Sequence, residues 1–380
     1  MRISSDFDGG NIICRACDDP GDIRLEIRRD ANSHFYQWFH YRLTGARGQD
    51  CVMQIVNAGG AAYVGGWPDY RAVASYDRRR WFRVPATSFD RDAGVLTIRH
   101  APERDAVWYA YFAPYSMERH ADLVAEIAAA SPLVRLEVAG ATLDGQDIDL
   151  LHIGRDDGKP KRQCWVIARQ HPGETMAEWW MEGFLRRLVD PDDALARSLL
   201  AEAVFHVVPN MNPDGSRRGH LRTNAAGANL NREWNDPQPW RSPEVLHVRA
   251  AMQETGVDFA LDVHGDEALP YNFIAGPHGI PSLQPRQIAL MHDFQAALVR
   301  ACPDFQTARG YPEAAPGKAD LSMCTNWIAE TFGCLAMTLE MPFKDNADAR
   351  DPAAGWSPER SRKLGAAALD AIDAVVDRLR

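Results

Sequence analysis

Three pairs in this sequence have the form His-x-x-Glu, the simplest local arrangement in which an imidazole and a carboxylate reach one metal ion: His100 with Glu103, His171 with Glu174, and His264 with Glu267. With 12 His and 52 Asp plus Glu in 380 residues, about one or two His-x-x-(Asp/Glu) matches arise by chance, so the spacing alone selects none. Context separates them. His171 follows an apolar run from Cys164 to Ala168 and lies in the stretch Arg169-Gln170-His171-Pro172-Gly173-Glu174-Thr175, after which a helical pattern begins. His264 closes the apolar run Val257–Val263. Both read as the C-terminal ends of buried strands, where open α/β sheets build their sites. His100 ends an alternating strand in a β-rich region and reads as part of a surface turn. Alone, His171 is as well explained as a hydrogen-bonded turn histidine. Together, His171, Glu174 and His264 form a two-His, one-Glu set with a fourth position open, the pattern of a catalytic rather than a structural zinc.

A water activated by zinc needs a carboxylate to accept its proton. Glu340 is the candidate, because it ends the apolar run Leu335–Leu339; a buried acid paired with a cation is the competing explanation. About thirty residues, 210 to 240, have almost no periodicity and hold Arg217, Arg218, Arg222, Asn231 and Arg232 among Gly215, Gly219 and Gly227. A loop of that length inside a compact domain is functional or disordered more often than not. The guanidinium fork matches a carboxylate, so the cluster either grips an acidic group or is a solvated basic loop. Glu174, Glu178 and Glu182 recur every four residues, and the last two read as a solvated helical stripe. Cys14-x-x-Cys17 has no second pair at zinc-finger spacing and reads as two packed thiols rather than a structural metal site.

The elements that position these residues divide the chain in two. In residues 1–116, Ile23, Leu25 and Ile27 alternate with charged residues, and further short runs at 36–43, 51–56, 81–84, 95–100 and 107–112 are separated by Gly, Asp, Asn and Pro, which predicts a β-sandwich. From Ser116 the pattern changes. Residues 117–380 read as an α/β domain, a mixed sheet with helices on both faces. Its helices are predicted near 116–131, 176–189, 243–255, 286–300 and 320–332, with a last one capped by Ser357-Pro358. Its strands are predicted at 134–139 and 148–153, a hairpin about Asp144-Gly145, and at 163–168, 203–209, 257–263 and 335–339.

Composition narrows the function. A hydrophobic share of 46% with 25% charged residues suits a globular enzyme, and a formal charge of -10 argues against nucleic acid as a partner. Seven scattered cysteines suit a reducing compartment, no leader pattern opens the chain, and no run reaches the roughly 20 apolar residues of a membrane span. These features predict a cytoplasmic protein with no membrane partner; the oligomeric state stays open.

The motifs His171-Pro172-Gly173-Glu174, Asn212-Pro213-Asp214-Gly215, Arg222, Leu230-Asn231-Arg232-Glu233-Trp234, Asp262-Val263-His264-Gly265 and Thr338-Leu339-Glu340, in this order, resemble the zinc metallocarboxypeptidases, and within them the cytosolic carboxypeptidase group that includes tubulin deglutamylases. The aromatic-rich β-region looks like that group's N-terminal domain. The resemblance implies one Zn2+ held by His171, Glu174 and His264, with Glu340 as general base. It implies Arg222 at the oxyanion, and Asn231 and Arg232 on the terminal carboxylate of a peptide or protein substrate. Tyr311 matches the family's mobile tyrosine, and Lys318 falls where a preference for acidic C-terminal residues would be set. Two departures stand out: Asn229 where relatives commonly have Asp, and Asp266-Glu267 where they have His-Ser. Competing readings are an N-acyl-amino-acid deacylase of the aspartoacylase or succinylglutamate desuccinylase type, and a catalytically silent carboxylate-binding module.

Overall fold

The computed structural model describes residues 1–155 and 158–379. Alternating burial in the N-terminal part folds it into two five-stranded sheets. One carries, in spatial order, β1 (Arg2–Ser4), β4 (His40–Thr44), β10 (Ala106–Ala110), β6 (Val73–Ser75) and β7 (Phe82–Arg83). The other carries β2 (Ile13–Ala16), β3 (Ile23–Glu26), β5 (Cys51–Ile55), β9 (Val95–His100) and β8 (Thr87–Asp90). Ile23 and Leu25 are buried while Arg24 between them is exposed, as a period of two requires. The sheets share a core: the Tyr41 hydroxyl of one donates to the Met53 sulfur of the other at 3.2 Å. Two predicted strands are shorter than expected, since residues 36–39 make no ladder before β4 and β7 is two residues long.

The C-terminal part is built on a seven-stranded mixed sheet ordered β11 (Val134–Ala141), β12 (Asp147–Ile153), β14 (Ala203–Val208), β13 (Arg162–Ala168), β15 (Phe259–Asp266), β17 (Leu335–Pro342) and β16 (Phe273–Ala275). The four central strands are parallel, with antiparallel neighbours at both edges. Parallel strands need both faces covered. Cys164, Val166 and Ala168 of β13 face a core shared with α1 (Met117–Ala130), α2 (Met176–Leu188), α3 (Ala194–Glu202), α6 (Pro285–Ala301) and α8 (Pro358–Val376). Trp165 and Ile167 face the opposite core, with α5 (Pro243–Thr255) and α7 (Cys324–Phe332). α4 (Pro213–Arg218) lies in the long loop, where Asn212 caps it and left-handed Gly219 ends it. α3 and β16 were not predicted, and α7 begins at Cys324 because Asp320–Met323 forms a turn instead.

α2 overturns one expectation. Glu178 and Glu182 are buried, not a solvated stripe. α2 lies between the sheet and α8, close enough that a Cβ on Gly183 would sit 2.0 Å from the Arg362 carbonyl, so two of its faces are covered. Glu178 meets Arg169 and His120, and Glu182 meets Arg119, Arg186 and Arg362. Buried carboxylates persist only when paired in this way.

Candidate metal centre

Three adjacent parallel strands deliver the centre. β13 ends at Ala168, opposite Val263 of β15, and the chain then turns through 169–175 into α2. His264 of β15 is in register with Glu340 of β17. One atom from each of His171, Glu174 and His264 lies within 4.8 Å of the others, and all three residues are buried. Both imidazoles turn Nδ1 toward the same carboxylate, His171 at 2.6 Å from Oε1 of Glu174 and His264 at 2.7 Å from Oε2. Each ring is held from behind: His171 Nε2 by Asn229 Oδ1 at 3.0 Å, and His264 Nε2 by Asp262 Oδ2 at 2.9 Å.

That arrangement fits zinc. An acceptor behind Nε2 keeps the proton there and leaves the Nδ1 lone pair for a metal. A neutral donor is favoured at His171, which burial and the nearby Arg222 charge lower to about 4. Burial alone would also depress His264, but Asp262 and Glu174 outweigh it and hold the ring above its ordinary value. Against the cost of burial, the two imidazoles keep the Glu174 carboxyl below its usual range. Asp262 is itself fixed by the Gln170 amide at 2.6 Å, and Gln170 accepts from the Trp234 indole at 2.8 Å.

Glu340 is 7% exposed, and burial, with Glu174, Asp266 and Glu267 nearby, pushes its carboxyl well above the ordinary range although His264 acts in the opposite sense. Its Oε1 accepts from the Tyr311 hydroxyl at 3.2 Å, while the buried Oε2 has no protein partner among the described residues. Among the described residues no Lys or Arg side chain is paired with this carboxylate, as a buried acid tied to a cation would require. Tyr311, 45% exposed, also donates to Asp266 and packs edge-on against Phe273. The guanidinium of Arg222 lies over the rings of Phe35 and Tyr63 and within electrostatic reach of Glu267, Glu174 and Glu340. Asn231 is buried with Oδ1 accepting from the Cys324 N–H at 2.9 Å, and Arg232 is 3.8 Å from Asp320.

A cavity of about 930 Å³ opens beside Tyr311 and is lined by Ile274, Arg309, Asp320, Thr325 and Thr338, among others. Lys318 is exposed and does not line it. Sequence reading missed the groups that orient the site: Asp262, Gln170, Phe35, Tyr63 and Asp30. For Asp262 a signal existed, since residues i and i+2 of a strand share a face and Asp262 precedes His264 by two. For the N-terminal residues there was none.

A buried two-His, one-Glu donor set at the C-terminal edge of an α/β sheet, with Glu340 in register with His264 on the next strand, could hold a metal ion. Residues 3–112 match the profile of the cytosolic carboxypeptidase N-terminal domain, and residues 121–359 that of zinc carboxypeptidase. The chain belongs to the zinc carboxypeptidases, in the cytosolic carboxypeptidase group, and is a zinc metallocarboxypeptidase. It is 51% identical to a metallo-carboxypeptidase from Burkholderia cenocepacia, with a TM-score of 0.96 and 100% of both chains covered. It is 47% identical to a metallo-carboxypeptidase from Pseudomonas aeruginosa solved with (2-guanidinoethylmercapto)succinic acid, with a TM-score of 0.96 and 100% of both chains covered. Cytosolic carboxypeptidase 6 of mouse is 26% identical over 302 residues, 70% of this chain, which spans 55% of that relative's length. No helix among the described residues is long and apolar enough to cross a membrane.

Proposed function

We propose that the protein hydrolyses the last peptide bond of a peptide or protein, with His171, Glu174 and His264 holding one zinc ion. The observation that carries this reading is the buried Oε2 of Glu340, without a protein partner among the described residues, on the strand next to His264 and in register with it. Zinc bound there supplies Lewis acidity, polarising the scissile carbonyl and bringing the pKa of water to roughly 7. Glu340 takes the proton of the attacking water and returns it to the leaving amine. Arg222 faces the carbonyl oxygen as negative charge develops on it. Asn231 and Arg232 hold the free carboxylate and so select the chain end. Tyr311 covers the substrate and keeps Glu340 oriented through its hydroxyl. The ligand of the Pseudomonas aeruginosa enzyme, a substituted succinic acid, carries carboxylates of the kind this pair grips. The division between the β-domain and the catalytic domain is placed at 116/117, before the first helix.

For the residue removed, the reading is an acidic one, Glu foremost, and it needs a cation at the cavity. Lys318 stands outside the lining; Arg309 lines it and is paired with Asp348 over the ring of Tyr271, from which an incoming carboxylate would have to draw it. Release of C-terminal Glu, Lys and Phe from matched peptides, by wild type and by Lys318→Ala and Arg309→Ala, separates the two cations. No preference for Glu would sink the acidic reading. For the reaction itself, Glu340→Gln is expected to keep its zinc and lose about 10²- to 10⁴-fold in kcat. Zinc-loaded wild type with no chelator-sensitive release from any C-terminus would refute it.

A further inference from the structure

The loop that carries Arg222 is held by the other domain. Asp30, 2% exposed, lies in the turn from 30 to 35 of the N-terminal β-domain and reaches across to residues 221–223. Its Oδ1 accepts the Leu221 N–H at 2.7 Å; its Oδ2 accepts the Arg222 N–H at 2.8 Å, the Thr223 N–H at 2.9 Å and the Thr223 hydroxyl at 3.0 Å. Neighbouring contacts tighten the clasp. His220 accepts from the Ala31 N–H, the Asn11 amide donates to the Gly219 carbonyl, and the Asn32 amide donates to the Ala225 carbonyl. Gly227, at φ +79°, lets the loop pass so close that a Cβ there would sit 2.4 Å from the Asn32 carbonyl. On the catalytic side, the Leu221 carbonyl accepts from the Gly173 N–H between His171 and Glu174.

The guanidinium of Arg222 is oriented by the same domain in a second way. It lies 5.6 Å from the ring centroid of Phe35 and 5.4 Å from that of Tyr63, and it makes no hydrogen bond to the protein among the described residues. Ring faces attract the cation without using its N–H groups. We propose that Asp30 is a positioning residue for the reaction, fixing the backbone at Arg222 while Phe35 and Tyr63 fix its guanidinium and leave the donors for substrate. On this view the β-domain is part of the catalytic apparatus. The proposal rests on the peptidase reading above for what Arg222 does, not for where it is held.

Asp30→Asn is the informative variant, because an amide cannot accept at both ends where the carboxylate does. Zinc-loaded wild type, D30N, R222A and the double variant are compared on one C-terminal peptide. D30N is expected to lose about 10- to 100-fold in kcat with little change in KM and full zinc content, as a small misplacement at a reacting centre does. In the R222A background the same change should cost less than about 3-fold, because the group it positions is gone. Equal losses in both backgrounds would overturn the proposal, since a merely structural role is indifferent to Arg222. Hydrogen exchange of the 219–227 segment gives a readout independent of turnover: faster exchange in D30N is expected, and unchanged protection would overturn the anchor. If D30N does not fold, Phe35→Leu with Tyr63→Leu takes its place, and an unchanged kcat there counts against the proposal. A wild type without turnover would sink the peptidase reading alone and leave the exchange result to judge this one.

Discussion

At the scale of single residues, the centre depends on groups that would never touch a metal. His264 can present Nδ1 only while Asp262 holds Nε2, and Asn229 does the same for His171. The departure to Asn at 229 therefore keeps what matters there, an acceptor oxygen, and gives up only a charge. Asp266 and Glu267 are likewise accommodated locally. Asp266 accepts from Tyr311 and from the N–H groups of Ala268 and Leu269, and Glu267 is buried within electrostatic reach of Arg222. Asp262→Ala is expected to weaken zinc binding about 10- to 100-fold, measured by competition with a chromophoric chelator. An unchanged affinity would show that His264 needs no such support.

At the scale of elements, α1, α2 and β12 meet at His120, whose ring lies between Glu178 of α2 at 2.8 Å and Asp149 of β12 at 3.0 Å. Burial would depress this imidazole, but the two carboxylates outweigh it and raise its pKa from 6.5 to about 9. The folded protein therefore holds this proton more tightly than the unfolded chain does. The resulting stabilisation, on the order of 3 kcal/mol, is present in full below about pH 6.5 and is lost as pH rises through about 9. Denaturant midpoints from pH 6 to 10 should fall for wild type over that window and fall less for His120→Gln. Parallel curves for the two proteins would show that His120 is not the titrating contact.

At the scale of the whole molecule, a continuous core joins the domains. One cluster runs from Phe39, Tyr70 and Tyr111 through Phe343 to the α2 and α8 residues Phe184 and Leu369, and Tyr111 stacks on Phe343 at 4.6 Å. With the Asp30 clasp added, neither part presents a finished surface to the other. Thermal unfolding is expected to show one cooperative transition, by calorimetry and by circular dichroism alike. Two separated transitions would mean the domains fold independently and that the shared core contributes little.

Much of this was legible in the sequence, and the reason is periodicity. Apolar runs such as 164–168 and 335–339 marked strands buried on both faces, Ser116 and Ser357 marked helix starts, and His171, His264 and Glu340 stood out because each follows such a run. Local chemistry settles those features, so the chain order carries them. Glu178 and Glu182 were misread because a four-residue spacing says which residues share a helix face and nothing about what covers it. Asp30 and Arg222 lie 192 residues apart, and no spacing rule links a turn in one domain to a loop in the other. The sequence by itself marked the buried strands that lead into the site, the candidate ligands and the candidate base, and left β16 and α3 unmarked. Only the tertiary structure decided which side chains hold them in place, because that depends on surfaces that exist once the two domains have packed.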